Sequence, residues 1–341
     1  MIKQVSFVLL GLCSVVVLGA FFLPEYKSEK IELNPKVPHQ VVGEVKKTTL
    51  LVFGDVMLDR YVRSYIDANS TAALFEYVQS DITNADATLL NLEGPITKFA
   101  SVVSKENLQF TFATHTASDL SKIGIDIVSL ANNHTHNFGR EGLRQTREFL
   151  SNANITFFGD PYNETANIVT RYKLGSTKIS FVGYHQFENP AIKDILTIIK
   201  AEKAAGNFIV FFPHWGNEYE KEASSSQKLK AEEVINAGAD IVIGAHPHVI
   251  QNAEVYNGKP VFYSLGNFIF DQWFSEDVKF GLGLLLTFSE NTIESIELKP
   301  FYRARYHPQW LMDEDRINWC KSYIQGTLFT LDQYNQCLLK L

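Results

Sequence analysis

The chain is poor in cysteine and has no basic block, and both features restrict its function. Three of its 341 residues are cysteines, and no Cys-x-x-Cys pair occurs, which disfavours a zinc ribbon. The formal net charge is -7 without any cluster of lysine and arginine, which argues against a nucleic-acid partner. Internal repeats and low-complexity segments are also absent. A hydrophobic content of 45% indicates one large α/β domain or two smaller ones.

Two of the cysteines, Cys320 and Cys337, lie near the C-terminus. In an exported protein they can form a disulfide that fastens the C-terminal tail to the domain. They can equally remain separate thiols that never meet. The sequence leaves both possibilities open.

The one long apolar run of the chain lies at its N-terminus, from Val5 to Leu23, and follows Lys3. At about 1.5 Å per residue this run nearly spans a bilayer core of about 30 Å. Leu18 occupies the position where a signal peptidase needs a small residue. We therefore predict an uncleaved, single-pass signal anchor over residues 1–24, with a cleaved signal peptide as the alternative. The lysine places the N-terminus inside, so the rest of the chain is expected to be extracytoplasmic at the cell membrane.

The remainder of the chain divides into three predicted parts. Residues 25–47 are polar and proline-containing, which is typical of a stalk. Residues 48–308 carry regular hydrophobic patterns and form the predicted domain. Residues 309–341 are weakly patterned and are expected to pack on that domain as a tail.

The predicted domain alternates short apolar runs with helical patterns, which is typical of strands joined by crossover helices. Its predicted α/β strands are Thr48–Gly54, Ala87–Leu92, Asp126–Leu130, Ile155–Phe158, Lys178–Gly183, Phe208–Phe212 and Asp240–Gly244. The predicted helices are Thr71–Ile82, Ser118–Ile123, Arg140–Asn152, Pro190–Ala205 and Gln227–Ala237. Antiparallel strands are then predicted at Ala253–Tyr256, Val261–Leu265, Gly281–Phe288 and Ile293–Leu298.

Polar clusters follow five of the predicted strands at their carboxyl ends, where α/β sheets bind ligands. Imidazole nitrogens, carboxylates and amide oxygens suit Zn, Mn or Fe, and a two-metal site needs a bridging carboxylate. His246 and His248 would point the same way in an extended segment, and His185 is a candidate for the rim. The candidate metal ligands are Asp55, Glu93, Asn133, His214, His246 and His248, and the candidate catalytic residues are His134 and Asn132.

Each of these residues also has an ordinary structural interpretation. An aspartate after a strand often caps a helix or a turn, and paired asparagines suit a turn. A loop glutamate can simply be exposed, and a histidine can serve in capping or core packing. The combination of five clusters at one sheet edge favours the metal site over these alternatives.

Six motifs in the same order resemble the CapA family of poly-γ-glutamate capsule biosynthesis, which is similar to calcineurin-like metallophosphoesterases. They cover about residues 50–267, or most of the predicted exported part. The motifs are Phe53-Gly54-Asp55-Val56-Met57, Asn91-Leu92-Glu93-Gly94-Pro95-Ile96-Thr97, Ser129-Leu130-Ala131-Asn132-Asn133-His134, Pro213-His214-Trp215-Gly216, Gly244-Ala245-His246-Pro247-His248-Val249 and Tyr263-Ser264-Leu265-Gly266-Asn267-Phe268.

The resemblance implies an αββα two-sheet sandwich with one or two divalent metals (Mn, Fe or Zn) at its top. It implies metal ligands at Asp55, Asn133, His214, His246 and His248, with His134 as the catalytic histidine. Three positions depart from the phosphoesterase pattern. Met57 replaces a ligand histidine, Glu93 falls near the bridging aspartate, and Asn137 stands where relatives often carry aspartate.

The resemblance also implies a role in the synthesis of an anionic envelope polymer, beside integral-membrane synthesis subunits. A metal-dependent hydrolase or transferase is the first hypothesis. A scaffold with a degenerate site is the second, favoured by Met57. Acid–base chemistry of the epimerase type, with little use of metal, is the third.

Overall fold

The computed structural model describes residues 47–102, 104, 106–188, 192–324 and 337–340. The predicted signal anchor (1–24) and stalk (25–47) lie outside these ranges, except for Lys47. Within the described ranges, none of the helices combines the length and the apolar character needed to cross a membrane.

The elements are numbered in chain order. The described strands are β1 (Thr48–Val56), β2 (Ala87–Leu92), β3 (Ile127–Ser129), β4 (Thr156–Phe158), β5 (Val169–Leu174), β6 (Thr177–His185), β7 (Phe208–His214), β8 (Ile241–Ile243), β9 (Ala253–Tyr256), β10 (Lys259–Phe262), β11 (Asn267–Ile269), β12 (Phe280–Ser289), β13 (Thr292–Ala304), β14 (His307–Trp310) and β15 (Leu338–Lys340). The described α-helices are α1 (Arg60–Ala68), α2 (Gln79–Asn84), α3 (Thr116–Ile123), α4 (Gly139–Asn152), α5 (Ile192–Ala204), α6 (Ser225–Ala237) and α7 (Asp313–Ile324). Short 3-10 turns cover Ala72–Phe75, Thr165–Asn167 and Asp277–Lys279.

Two mixed sheets lie at the centre of the domain. The first has the order β14-β13-β12-β1-β2-β3-β4, with β11 also paired to β1 and β15 to β13. The second has the order β5-β6-β7-β8-β10-β9. Strands β1 to β4 run parallel, and so do β6, β7, β8 and β10. Parallel strands end at one edge, so each sheet brings several loops to the same side of the domain.

Burial on both faces of the strands explains their continuous apolar sequences. In β1, Leu50 and Val52 face the core between the two sheets, while Leu51 and Phe53 face the helices outside. The outer core of the first sheet includes residues of α1 to α4, and that of the second includes residues of α5 and α6. The resulting order of helix, sheet, sheet and helix confirms the predicted α/β two-sheet arrangement.

Several elements of the structure differ from the predicted ones, and the short strand β11 was not predicted. The helix expected over Thr71–Ile82 is divided into a 3-10 turn and α2. The edge strand β5 was missed because its sequence is mostly polar and only its last residue is buried. Helix α1 was missed because it follows directly on the first polar cluster.

The C-terminal tail contains regular structure that its sequence does not reveal. Strand β14 and helix α7 follow β13, and β15 pairs with β13 through Ser295–Glu297. A disulfide joins Cys320 to Cys337, both fully buried. It ties α7 to β15 and resolves the alternative that the sequence left open.

Candidate metal centre

The predicted site residues meet at one edge of the two sheets. Strand β1 is joined there to the chain that leads from β10 of the second sheet into β11, by a backbone hydrogen bond from the Asp55 N–H to the Gly266 carbonyl, 3.1 Å long. A Cβ atom on Gly54 would lie 2.0 Å from the same carbonyl oxygen, so only glycine permits this approach. The motif that contains Gly54 thus fixes Asp55 next to the loops of the second sheet.

A buried pair of carboxylates forms the floor of the site. Asp55 and Glu93 are both fully buried, and the Asn91 amide donates to both, at 2.8 Å to Asp55 Oδ1 and 3.4 Å to Glu93 Oε2. Burial raises the pKa of Glu93 well above its ordinary value, and the charge of Asp55 adds to this effect. Two adjacent buried carboxylates require a compensating cation or a proton.

One carboxylate oxygen of Glu93, Oε1, has no hydrogen-bond partner among the described residues. Glu93 Oε1 is buried and makes no hydrogen bond, although a buried carboxylate oxygen normally accepts at least one. It lies 3.8 Å from His248 Nε2 and 4.0 Å from His214 Nε2. Those contacts place the oxygen between two histidine groups, where a bridging ligand would stand.

The first group of potential ligands consists of Asp55, Glu93 and His248. One ligand atom from each lies within 4.8 Å of the others. His248 Nδ1 is 3.3 Å from Asp55 Oδ2 and 2.9 Å from the Asn267 amide oxygen. The Asn267 contact orients the ring toward the carboxylates.

The second group forms around His214. Its Nε2 atom lies 2.8 Å from Asn133 Oδ1 and 3.1 Å from His246 Nδ1, and Glu93 Oε1 is the nearest carboxylate oxygen. Burial lowers the pKa of His214 well below its ordinary value and that of His246 to about 2. Both rings are therefore neutral at pH 7, which is the form of imidazole that binds a metal.

The loop that carries His246 and His248 is not the extended segment assumed from the sequence. The two residues have φ angles of 96° and 60°, in the left-handed region that side-chain-bearing residues rarely adopt. Their rings nevertheless converge, with centroids 5.7 Å apart. The turn, rather than strand periodicity, brings them together, and strained backbone of this kind is typical of functional sites.

His134 lies beside the two groups, against the aromatic wall of the site. Its ring stacks on Phe110 with centroids 4.1 Å apart, and its Nδ1 lies 3.1 Å from Asn137 Oδ1. Burial lowers the pKa of His134 to about 4. The amide oxygen of Asn137 also accepts from the Phe110 N–H at 2.8 Å, so it presents an acceptor to His134, and Nδ1 carries the proton.

The Asn132 side chain links its own loop to the end of β2. Its oxygen accepts from the N–H groups of His134 and Thr135, and its amide nitrogen donates to Asn91 and to the Leu92 carbonyl. These bonds hold the loop in front of His134. All of these bonds serve to position His134.

Met57 lies away from the ligands. It is fully buried in the apolar core between the first sheet and its helices, and its sulfur accepts from the Asp59 N–H at 3.1 Å. The histidine of the phosphoesterase pattern therefore has no substitute at this position.

Sequence analysis missed several residues that shape the site, and one expectation was wrong. Asn91 makes hydrogen bonds with Asp55, Glu93 and Asn132. It belongs to one of the six sequence motifs, but from the sequence it resembled an ordinary strand residue. Glu218 groups with His246 and His248, but it lies in a loop four residues beyond His214. His185, expected at the rim, is fully buried at the end of β6.

The donor set fits a divalent metal. It combines two carboxylates, an amide oxygen and three imidazoles, a mixture that suits Zn, Mn or Fe. The unpaired Glu93 oxygen lies between the two groups, where it can serve both. These residues can therefore hold one or two ions, with Glu93 as the shared ligand.

Comparison with known proteins gives a consistent result. Residues 49–272 match the family described as "Bacterial capsule synthesis protein PGA_cap". The chain is 27% identical to "Capsule biosynthesis protein CapA" of Bacillus anthracis, over 78% of this chain and 68% of that protein. It is 32% identical to "PGA biosynthesis protein CapA" of Bacillus subtilis, over 64% of this chain and 62% of that protein. The match thus spans about two thirds of each of these relatives.

More distant similarities are weaker. A "Probable polyglutamine synthesis accessory protein" of Mycobacterium tuberculosis is 24% identical over 68% of this chain and 76% of its own. A solved structure of a Vps29 mutant from Entamoeba histolytica aligns with a TM-score of 0.28 and 13% identity, over 65% of this chain and 96% of its own. That structural likeness is too low to bear on function.

Proposed function

The chain belongs to the family of bacterial capsule synthesis proteins, and we propose that it acts on an anionic envelope polymer as a metal-dependent hydrolase or transferase. A glutamyl chain of the poly-γ-glutamate type, or its precursor, is the substrate class suggested by the relatives' names. A divalent metal is the proposed cofactor, at one or two positions.

The observation that carries this proposal is the unpaired oxygen of Glu93. A buried carboxylate beside Asp55, with no hydrogen bond at Oε1, is costly unless a cation or a proton compensates it. The nearest side chains to that oxygen are the imidazoles of His248 and His214, which can bind a metal, while Arg60 pairs with Asp271. A metal ion between the two ligand groups would compensate the charge.

When bound, the metal would supply Lewis-acid polarisation of the scissile group. The protein's own residues would orient the substrate and move the proton. His134 donates its Nδ1 proton to Asn137, so Nε2 is the basic nitrogen of this tautomer. It can take a proton from an attacking group and return it to a leaving group. Asn132 holds the His134 loop, and we assign it a positioning role in this scheme.

The same proposal includes a place at the membrane. The apolar run of residues 5–23 supports a single-pass anchor with the domain outside the cytoplasm. A tethered domain of this kind would work on a growing chain beside integral-membrane synthesis subunits.

The second candidate is a scaffold in which the metal chemistry has been lost. The position of Met57 in the apolar core favours it, because one ligand of the phosphoesterase pattern is gone. Metal content separates the two candidates.

The test is the metal content of the full chain, purified without chelators, for the wild type and for His246→Ala and His248→Ala. We expect one to two equivalents of Mn, Fe or Zn in the wild type and a loss in both variants. His115→Ala is the matched control, because His115 is exposed and pairs only with Asp119 on its own helix. A wild type that stays metal-free after reloading would overturn metal-dependent catalysis in favour of the scaffold.

A further inference from the structure

We propose that Glu218 is a further metal ligand, which joins His246 and His248 on the open side of the site. This inference rests on the proposed metal-dependent function and concerns one residue of the same site. Glu218 has no counterpart among the ligands that the sequence motifs predict.

The geometry places Glu218 at the open side of the site. Its carboxylate and one nitrogen each from His246 and His248 lie within 4.8 Å of one another. This group shares His248 with the group formed by Asp55 and Glu93. An ion bound by His248 would therefore have carboxylates on two sides, Asp55 and Glu93 in the interior and Glu218 toward the solvent.

The backbone holds Glu218 against the histidine loop. The N–H of its neighbour Tyr219 donates to the Pro247 carbonyl at 2.8 Å, and Pro247 lies between His246 and His248. Tyr219 has a φ angle of 66°, and its ring lies 6.1 Å from that of His248. Tyr219 thus keeps a strained backbone conformation while it is bonded to the loop that carries His246 and His248. A loop without a function would be expected to relax to an ordinary conformation. The strain therefore supports a functional role for the adjacent Glu218.

A second observation points to a ligand at this place. The Glu93 oxygen that faces His248 is buried and unpartnered, while Met57 is turned into the core. The first ligand group therefore offers three protein donors and has an unsatisfied oxygen aimed at the ion. Glu218 is the remaining ligating side chain that groups with His248 among the described residues.

The identity of the donors fits a divalent metal. Glu218 adds a carboxylate oxygen to the imidazoles of His246 and His248, a mixture that suits Zn, Mn or Fe.

The test uses the full chain and measures binding rather than turnover. Mn²⁺ is titrated into the wild type, Glu218→Gln and the control Glu220→Gln, and free Mn²⁺ is followed by electron paramagnetic resonance. We expect Glu218→Gln to weaken one position by about 10- to 100-fold or more, the range seen when a metal site loses a supporting group. Glu220→Gln removes the same charge from the same exposed loop and should bind like the wild type.

A second variant tests selectivity. Glu218→His replaces a carboxylate with an imidazole and should shift that position from Mn²⁺ toward Zn²⁺ in competition titrations. Equal Mn²⁺ affinity in the wild type and Glu218→Gln, with His248→Ala still losing metal, would overturn the role of Glu218 and leave the metal centre intact. A wild type that binds no Mn²⁺ or Zn²⁺ would overturn this inference together with the proposed function.

Discussion

The imidazole Nδ1 of His134 lies 3.1 Å from the amide oxygen of Asn137, so an uncharged acceptor orients the proposed proton-transfer residue. Burial is the largest cause that lowers the pKa of His134 to about 4, with smaller contributions from His248 and Arg60, and no adjacent carboxylate stabilises the protonated form. The amide therefore has a direct and measurable effect on the ring.

Asn137→Asp should raise the pKa of His134, because a carboxylate favours the imidazolium form. We expect a rise of about 1 to 3 pH units, as for other oppositely charged neighbours, measured by NMR titration of the ring protons. Asn152→Asp adds the same charge at the exposed end of α4 and should leave that pKa unchanged. An unshifted His134 in Asn137→Asp would show that the contact does not govern its protonation.

His185 should make the protein less stable in acid. Burial lowers its pKa to about 4 in the folded state, so between pH 6.5 and 4 the unfolded chain binds more protons, and stability falls as the pH falls. From pH 7 to 5 its share is about 2 kcal/mol. Urea unfolding of metal-free His185→Gln should therefore show a pH dependence smaller by this amount.

The comparison of wild type and variant isolates His185 from the opposite contribution of Glu93, whose raised pKa lowers stability as the pH rises. His115→Gln removes an exposed histidine and should retain the full wild-type dependence. Identical pH slopes for the wild type and His185→Gln would contradict the prediction.

Reduction of the Cys320–Cys337 disulfide should destabilise the domain. The bond closes a loop of 17 residues in sequence separation, and such loops stabilise by about 2–4 kcal/mol through the unfolded state. Chemical unfolding with and without reductant measures the difference. The double variant Cys320→Ser/Cys337→Ser should have the same free energy of unfolding as the reduced wild type, and reductant should not change it. If reductant had no effect on the wild type, the disulfide would be absent in solution.

The ion pair between Arg60 and Asp271 should be costly to break. Both side chains are almost fully buried, and the Arg60 guanidinium lies 5.0 Å from the Phe110 ring centroid that stacks on His134. Asp271→Ala leaves that cation without its carboxylate and should cost about 3–5 kcal/mol.

Thermal and urea unfolding of Asp271→Ala and of Arg60→Met/Asp271→Leu give the comparison. The double variant removes both charges and should recover much of the loss, since neither charge stays buried. Equal destabilisation of both proteins would show that packing, rather than the charge, is responsible.

The sequence by itself determined the class of fold and the position of the site. Alternating apolar runs between Thr48 and Gly244 predict strands and crossover helices because buried strands and amphipathic helices need those patterns. Polar clusters after five strands predict one ligand edge because parallel strands end together. His214, His246 and Asp55 were identified on that basis, and the structure brings them together.

Only the tertiary structure decided which donors meet and which do not. Glu93 is a bridging candidate because two sheets bury it between His214 and His248, and Met57 is excluded because its side chain packs on the other face of its sheet. Glu218 reaches the site through a loop, and the tail is fixed by pairing with β13. These outcomes depend on contacts between residues distant in sequence, which local periodicity and spacing do not encode.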